Sequence, residues 1–160
     1  MQIGVVSDTH GHSDFAQAAA YMLETFSVEQ VLHCGDIGST GVVQVFSKWP
    51  THYVFGNTDD ARDVLRDEIM ACGGTCHETF GDFRIDNCRI GMTHGDDAAL
   101  LMRMIRSHDF DLICSGHTHQ MLVRQEGPTL VLNPGALYRA RRHTIAIVDL
   151  KTMEHEIVEV

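Results

Sequence analysis

A chain of 160 residues can enclose one sizeable core but is short for two, which sets the expectation of a single domain over residues 1–160. Its 44% apolar and 21% charged content excludes a largely disordered chain. With 12 Lys+Arg against 22 Asp+Glu, the formal net charge of −10 opposes a polyanion, so a nucleic-acid partner is not expected. A small phosphorylated substrate stays compatible with that charge, above all if cations lie between it and the protein.

The chain opens with a strand, residues 3–7, short and β-branched, ended by Asp8 and Gly11. No basic stretch and cleavable apolar run precede it, and no apolar run is long enough to span a bilayer, so a cytoplasmic protein without a membrane partner is expected. Ser13 and Asp14 offer N-caps for a helix reaching about Phe26, with Phe15, Ala18, Ala19, Met22, Leu23 and Phe26 on one face. Residues 29–33 read as a strand ended at Gly35-Asp36, and 40–47 as a helix stopped before Pro50. Residues 52–55 form a strand ended at Gly56-Asn57, and 60–70 a helix stopped by Gly73-Gly74. This β-α-β-α-β-α alternation predicts a largely parallel sheet, with ligands outside the carboxyl ends of its strands.

The second half is richer in strands. Residues 75–80, 83–86 and 88–93 read as a meander with tight turns at Gly81-Asp82 and Asp86-Asn87. Residues 97–108 read as a helix with Leu100, Leu101, Met104 and Ile105 inward, and 111–114, 121–125, 129–132, 144–149 and 154–160 as strands. Two sheets packed together between outer helices is the economical architecture. Five cysteines give no disulfide-scaffold density, and Cys72 and Cys76 lack a second Cys/His pair at zinc-finger spacing.

The polar residues fall at strand ends. Asp8, His10, Asp36, Asn57, His94, His117 and His119 supply two carboxylates, four imidazoles and one amide oxygen. That set is too large for one cation and suits two, with an Asp bridging ions roughly 3.5–4 Å apart. A mixed N/O set without thiolates favours Mn, Fe, Ni or Zn at a catalytic site over a structural zinc. Gly11, Gly35, Gly56, Gly95 and Gly116 permit the sharp turns such convergence needs. Each histidine taken alone is ordinary strand-end chemistry; the argument rests on all seven following strands.

The ordered set Asp-x-His, Gly-Asp, Gly-Asn-x-Asp, Thr-His-Gly and Gly-His-Thr-His resembles the calcineurin-like metallophosphoesterases. Length, the Ser7-Asp8-Thr9-His10-Gly11 start and the Asn133-Pro134-Gly135 turn make it most similar to the small YfcE-type phosphodiesterases. The resemblance implies a four-layer α/β-β/α sandwich of two mixed sheets flanked by helices. It also implies a dinuclear centre, with manganese first among the candidate metals. Asp8, His10, Asp36 and His119 would then hold the first ion, and the bridging Asp36 with Asn57, His94 and His117 the second. The implied activity is hydrolysis of small phosphodiesters by a metal-bridging hydroxide, in a chain that could form a homodimer.

Larger relatives carry Gly-Asn-His-Glu where this chain has Gly56-Asn57-Thr58-Asp59, which leaves the general acid open. The residues assigned to catalysis are Asp36, Asn57, His94, Asp59 and His12. Asp59 is expected to orient a ligand, and His12 to touch substrate or donate a proton, unless it merely faces solvent at the helix entry. Asn57 and His94, with Arg139 and Arg142 of the basic run 139–143, are assigned to substrate binding. His33 and Cys34 are expected to be buried beside the site. Lacking a strong acid, the enzyme should favour good leaving groups such as aryl diesters. The alternatives are a non-catalytic protein-binding scaffold of the same fold, as in the retromer subunit, or a phosphomonoesterase. Seven intact donor positions argue against the scaffold, and the absence of Gly-Asn-His-Glu argues against the monoesterase.

Overall fold

The computed structural model describes residues 1–160. The first sheet is built from β1 (Gln2–Val6), β2 (Gln30–His33), β3 (Thr51–Tyr53), β4 (Thr75–Cys76), β10 (Thr144–Asp149) and β11 (His155–Glu159). Its order is β11-β10-β1-β2-β3-β4. The strands β1 to β4 run parallel, and β10 and β11 are antiparallel additions at the other edge. The second sheet takes β5 (Phe80–Ile85), β6 (Cys88–Thr93), β7 (Leu112–Cys114), β8 (Leu122–Glu126) and β9 (Thr129–Asn133) in the order β5-β6-β7-β9-β8. Within it β6, β7 and β9 are parallel, and β5 and β8 pair antiparallel at the edges. The helices are α1 (Ser13–Thr25), α2 (Thr40–Phe46), α3 (Arg62–Ala71) and α4 (Ala98–Ser107).

The period of two along each strand sorts its side chains into layers. Ile3 and Val5 of β1 point into the gap between the sheets, where they join Leu32, Ile90, Met92, Leu112, Cys114 and Leu132. Val6 points the other way, into a second core with Ala16, Ala19 and Leu23 of α1 and Val42, Val43 and Phe46 of α2. On the far side, Met104 and Ile105 of α4 cover Ile113 and Val131 of the second sheet. The result is the expected four layers, α/β-β/α. Gly4 faces α1 so closely that a Cβ there would lie 2.3 Å from Leu23 Cδ2, which sets how near α1 can come.

Two local readings are corrected. The cap of α1 is His12, whose side chain makes no capping bond, and Ser13 is already helical. The three-strand meander is not formed. Residues 75–76 instead extend the first sheet parallel to β3, and β5 runs through Gly81-Asp82 without turning. Gly81 serves close approach, since a Cβ there would touch the His77 and Phe83 rings at 3.0–3.1 Å. The hairpin at Asp86-Asn87 is as expected, with Ile85 opposite Cys88.

The strands that carry polar sequels end at one rim. Asp8 follows β1, Asp36 follows β2, Asn57 follows β3, His94 follows β6 and His117 follows β7. Since β1–β3 are mutually parallel, and so are β6 and β7, each sheet delivers its loops together.

Candidate metal centre

The ligand loops are laced by backbone hydrogen bonds. The N–H of Asp8 donates to Gly35 O at 3.0 Å, that of His10 to Asp36 O at 2.8 Å, and that of Gly11 to Ile37 O at 2.9 Å. The N–H of Gly116 donates to His94 O at 2.8 Å, which ties the two loops of the second sheet. Five of the seven expected donors sit at left-handed φ: Asp8 at 56°, His10 at 47°, Asp36 at 53°, His117 at 69° and His119 at 57°. Such non-glycine conformations cost roughly 1–3 kcal/mol each and concentrate where function requires them. The glycines between them allow crowding. A Cβ on Gly56 would lie 2.1 Å from Asp36 Oδ1, and one on Gly116 would lie 1.9 Å from Ser7 Oγ and 2.7 Å from Asp8 Oδ2.

The side chains converge as two triads of donor atoms, Asp8–His10–His119 and Asp8–Asp36–His94, each with all atoms within 4.8 Å of one another. His119 Nε2 lies 3.2 Å from Asp8 Oδ1 and 3.3 Å from His10 Nε2. His94 Nε2 lies 3.4 Å from Asp36 Oδ2 and 4.0 Å from Asp8 Oδ1, and His10 Nε2 is 3.6 Å from Asp36 Oδ2. Donors bound to one cation at ~2.1 Å lie roughly 3–4 Å apart, so these separations suit shared ligation. Asp36 Oδ2 lies within 3.6 Å of both His10 Nε2 and His94 Nε2, and Asp8 is common to both triads. At the rim, His117 Nδ1 and Asn57 Oδ1 approach to 3.1 Å, and the His117 ring meets that of His94 edge-on at 5.1 Å.

Two tautomers follow from partners. His94 Nδ1–H donates to the carbonyl of Cys34 at 2.8 Å, and His119 Nδ1–H donates to the carbonyl of Arg139 at 3.2 Å. Both rings thus turn Nε2 toward the carboxylates. Asp8, His94 and Asp36 are buried, at 0%, 0% and 3% exposure. Asp8 Oδ1 and His94 Nε2 nevertheless have no hydrogen-bond partner. Burial raises the Asp8 carboxyl above its ordinary value and holds the His10 imidazole below its own. Burial works to raise Asp36 as well, but His94 and the Thr58 N–H hold it far below the usual carboxylate range. For His94, burial works downward, yet Asp36, the Cys34 carbonyl and Asp8 keep it up at about 8. An unpartnered buried carboxylate oxygen facing an unpartnered buried imidazole nitrogen fits a divalent cation between them.

The other expected residues divide. Asp59 brings no free oxygen to the cluster: it accepts the N–H groups of Gly56 at 2.8 Å, Ile37 at 3.2 Å and Gly38 at 2.9 Å. It therefore ties the Asp36 loop to the Asn57 loop through backbone N–H groups. His12 stacks on Tyr138 with ring centroids 3.6 Å apart, beside His10. The guanidinium of Arg139 lies 5.6 Å from the Tyr138 ring centre. Arg142 is paired with Glu159 of β11 at 2.9 Å in an exposed ion pair and lines a surface pocket shared with His119. His33 and Cys34 are fully buried, as expected. Two contributors were missed. Tyr138, just before the basic run, carries no motif signal, yet its N–H donates to Asp8 O at 3.0 Å. Asn133, a turn residue by sequence, donates Nδ2–H to Gly116 O at 2.6 Å and to Thr118 Oγ1 at 3.2 Å, fixing the loop of His117 and His119. An Asn before Pro-Gly was the only available signal for it.

Residues 1–153 match the calcineurin-like phosphoesterase superfamily domain. The chain is 32% identical to phosphodiesterase MJ0936 of Methanocaldococcus jannaschii, over 99% of each chain. It superposes on the solved structure of an archaeal phosphodiesterase with a TM-score of 0.93, 30% identity and complete coverage of both chains. The phosphoesterase YfcE of E. coli shares the fold at a TM-score of 0.69 and 16% identity, covering 99% of this chain and 98% of that one. The fold, the converging donors and the match over nearly the whole length agree, and the chain belongs to the calcineurin-like phosphoesterase superfamily.

Proposed function

We propose that this phosphoesterase is a phosphodiesterase that holds two divalent cations and cleaves small phosphodiesters. The observation that carries this reading is the pair of buried, unpartnered atoms Asp8 Oδ1 and His94 Nε2, each inside a triad of converging donors. Asp8, His10, Asp36 and His119 would hold one ion, and Asp36, Asn57, His94 and His117 the other. Two such ions, when bound, acidify water and neutralise charge on the phosphoryl group. The chain's own part is positioning. Buried Asp8 and Asp36 supply fixed negative charge, and Asp36 stays ionised across the physiological range. The hydrogen bonds of His94 and His119 to carbonyls fix which nitrogen each presents. Asn57 and His117, exposed at the rim, are the members of the set that an incoming phosphate meets first.

The phosphodiesterase names of the M. jannaschii relative and of the archaeal structure support diesters over monoesters as the substrate class. The mixed N/O donor set suits Mn, Ni, Fe or Zn, and the family resemblance puts manganese first among them. Thr58 in place of a histidine leaves no imidazole at that position to protonate a leaving group, which favours aryl esters. No helix is long and apolar enough to cross a membrane.

The test is hydrolysis of bis(p-nitrophenyl) phosphate by chelator-stripped protein with Mn²⁺, Ni²⁺, Zn²⁺ or Mg²⁺ restored, alongside p-nitrophenyl phosphate. The expected result is metal-dependent cleavage that favours the diester and drops by at least about 10²-fold in Asp36→Asn and His117→Ala, as loss of a charge-stabilising group does. Metal uptake without turnover of either ester would overturn the reading.

A further inference from the structure

Beneath the ligand loops lies a polar contact that the ligand set does not use. His33, the last residue of β2, is 0% exposed and faces the helix-side core. Its ring stacks on Tyr53 at 5.7 Å and meets Phe46 edge-on at 5.8 Å. In those surroundings its one hydrogen-bonding contact is Nε2 with Thr9 Oγ1, 3.0 Å away. Thr9 is also fully buried and stands between Asp8 and His10. Its hydroxyl reaches the carbonyl of Ile37 at 3.0 Å and that of Asp36 at 3.3 Å.

Counting protons orders this contact. A threonine hydroxyl has one proton, and both neighbouring carbonyls can only accept. The hydroxyl therefore donates to a carbonyl, most closely that of Ile37, and must accept from His33, so Nε2 carries the imidazole proton. The remaining atom, Nδ1, has no partner, and a bare lone pair is the less costly state for it. The other tautomer would turn the hydroxyl away from the carbonyls to donate to Nε2 and would bury an unpaired Nδ1–H. Burial keeps the ring neutral, with its pKa lowered to about 3, so Nδ1 stays unprotonated at neutral pH.

We infer that His33 and Thr9 form a positioning clasp for the metal centre, with His33 Nε2–H donating to the Thr9 hydroxyl and that hydroxyl donating to the Ile37 carbonyl. The clasp joins the two turns that carry three left-handed ligands, Asp8, His10 and Asp36. Each of those conformations is strained, and the clasp adds a buried side-chain link to the three backbone bonds between the turns, from the N–H groups of Asp8, His10 and Gly11 to the carbonyls of Gly35, Asp36 and Ile37. Releasing the hydroxyl would let the Asp8–His10 turn relax away from Asp36, and both donor triads include Asp8. The role belongs to ligand geometry; neither His33 nor Thr9 touches a substrate.

This inference rests on the two-cation reading above, and its test separates the two. Mn²⁺ binding to chelator-stripped protein is measured by titration calorimetry, with thermal melting of the same metal-free samples. Thr9→Val keeps the shape and removes the hydroxyl, and His33→Phe keeps the ring stack and removes the donor. Each is expected to weaken Mn²⁺ binding by roughly 10–100-fold, the range found when partners that orient ligands are lost. Thr9→Ser and His33→Gln restore a hydroxyl and an N–H and should recover most of the affinity. The double variant Thr9→Val/His33→Phe should bind about as well as the weaker single variant, because the two act as one unit. Wild-type affinity in folded Thr9→Val, with only its melting temperature lowered, would overturn the clasp. Absence of Mn²⁺ binding by the wild type would overturn the two-cation reading instead.

Discussion

Asp8 and His94 are stationed in the chain at a cost. Leaving a buried polar atom without a partner costs roughly 1–3 kcal/mol, and both residues do so at 0% exposure. The left-handed turns at Asp8, His10 and Asp36 add to that cost. What holds such residues in place is a frame of side chains bonded to backbone, and Asp59 is its clearest member. Its carboxylate accepts three N–H groups from two ligand loops. Asp59→Ala is therefore expected to destabilise the protein by about 3 kcal/mol, since several buried donors lose their acceptor together. Urea denaturation of metal-free protein measures this. A change under about 0.5 kcal/mol, the size of an ordinary surface substitution, would mean that the loops hold without it.

At the scale of elements, close approach is set by small residues at chosen points. Gly4 lies under α1, where a Cβ would meet Leu23 Cδ2 at 2.3 Å. Gly4→Ala must displace that side chain or the helix, and overpacking of this kind costs roughly 1–3 kcal/mol. The expected outcome is a lower denaturation midpoint at unchanged slope; an unchanged midpoint would show that Leu23 has room to rotate. The same scale explains what was legible in the sequence. The strands before Asp8, Asp36, Asn57, His94 and His117 were readable because each is a short apolar run stopped by turn residues. The segment around 75–83 was not. The two-residue β4 is too short to show a period, and its partner β3 is about twenty residues upstream. Gly81-Asp82 carries turn chemistry, yet β6 pairs with β5 straight through it. Likewise the converging donors are visible by type and position, whereas Asn133 and Thr9 act through bonds to backbone that arrives from other loops.

For the whole molecule, two sheets packed on a shared apolar core bring their carboxyl-end loops to one rim. Burying neutral histidines within this frame couples stability to pH. The folded-state pKa of His33 is lowered to about 3 by burial, and that of His52 to about 4 by burial and the neighbouring His77. The native state therefore binds fewer protons than the unfolded chain. Their contribution is complete above pH 6.5 and is lost as pH falls through 6.5 toward those values. At pH 5 the His33 share amounts to about 2 kcal/mol. Burial of the Asp8 carboxyl acts in the opposite sense, so the His33 share is read as a difference. Urea denaturation of metal-free protein at pH 7.5 and pH 5 should show a smaller loss of stability in His33→Gln than in wild type; equal losses would contradict the assignment. Anomalous diffraction from Mn²⁺-soaked crystals shows whether the rim binds two ions. Two anomalous peaks roughly 3.5–4 Å apart are predicted, one within bonding distance of Asp8, His10 and His119, the other of Asn57, His94 and His117, with Asp36 touching both. A single peak, or peaks away from Asp8 Oδ1 and His94 Nε2, would contradict the account.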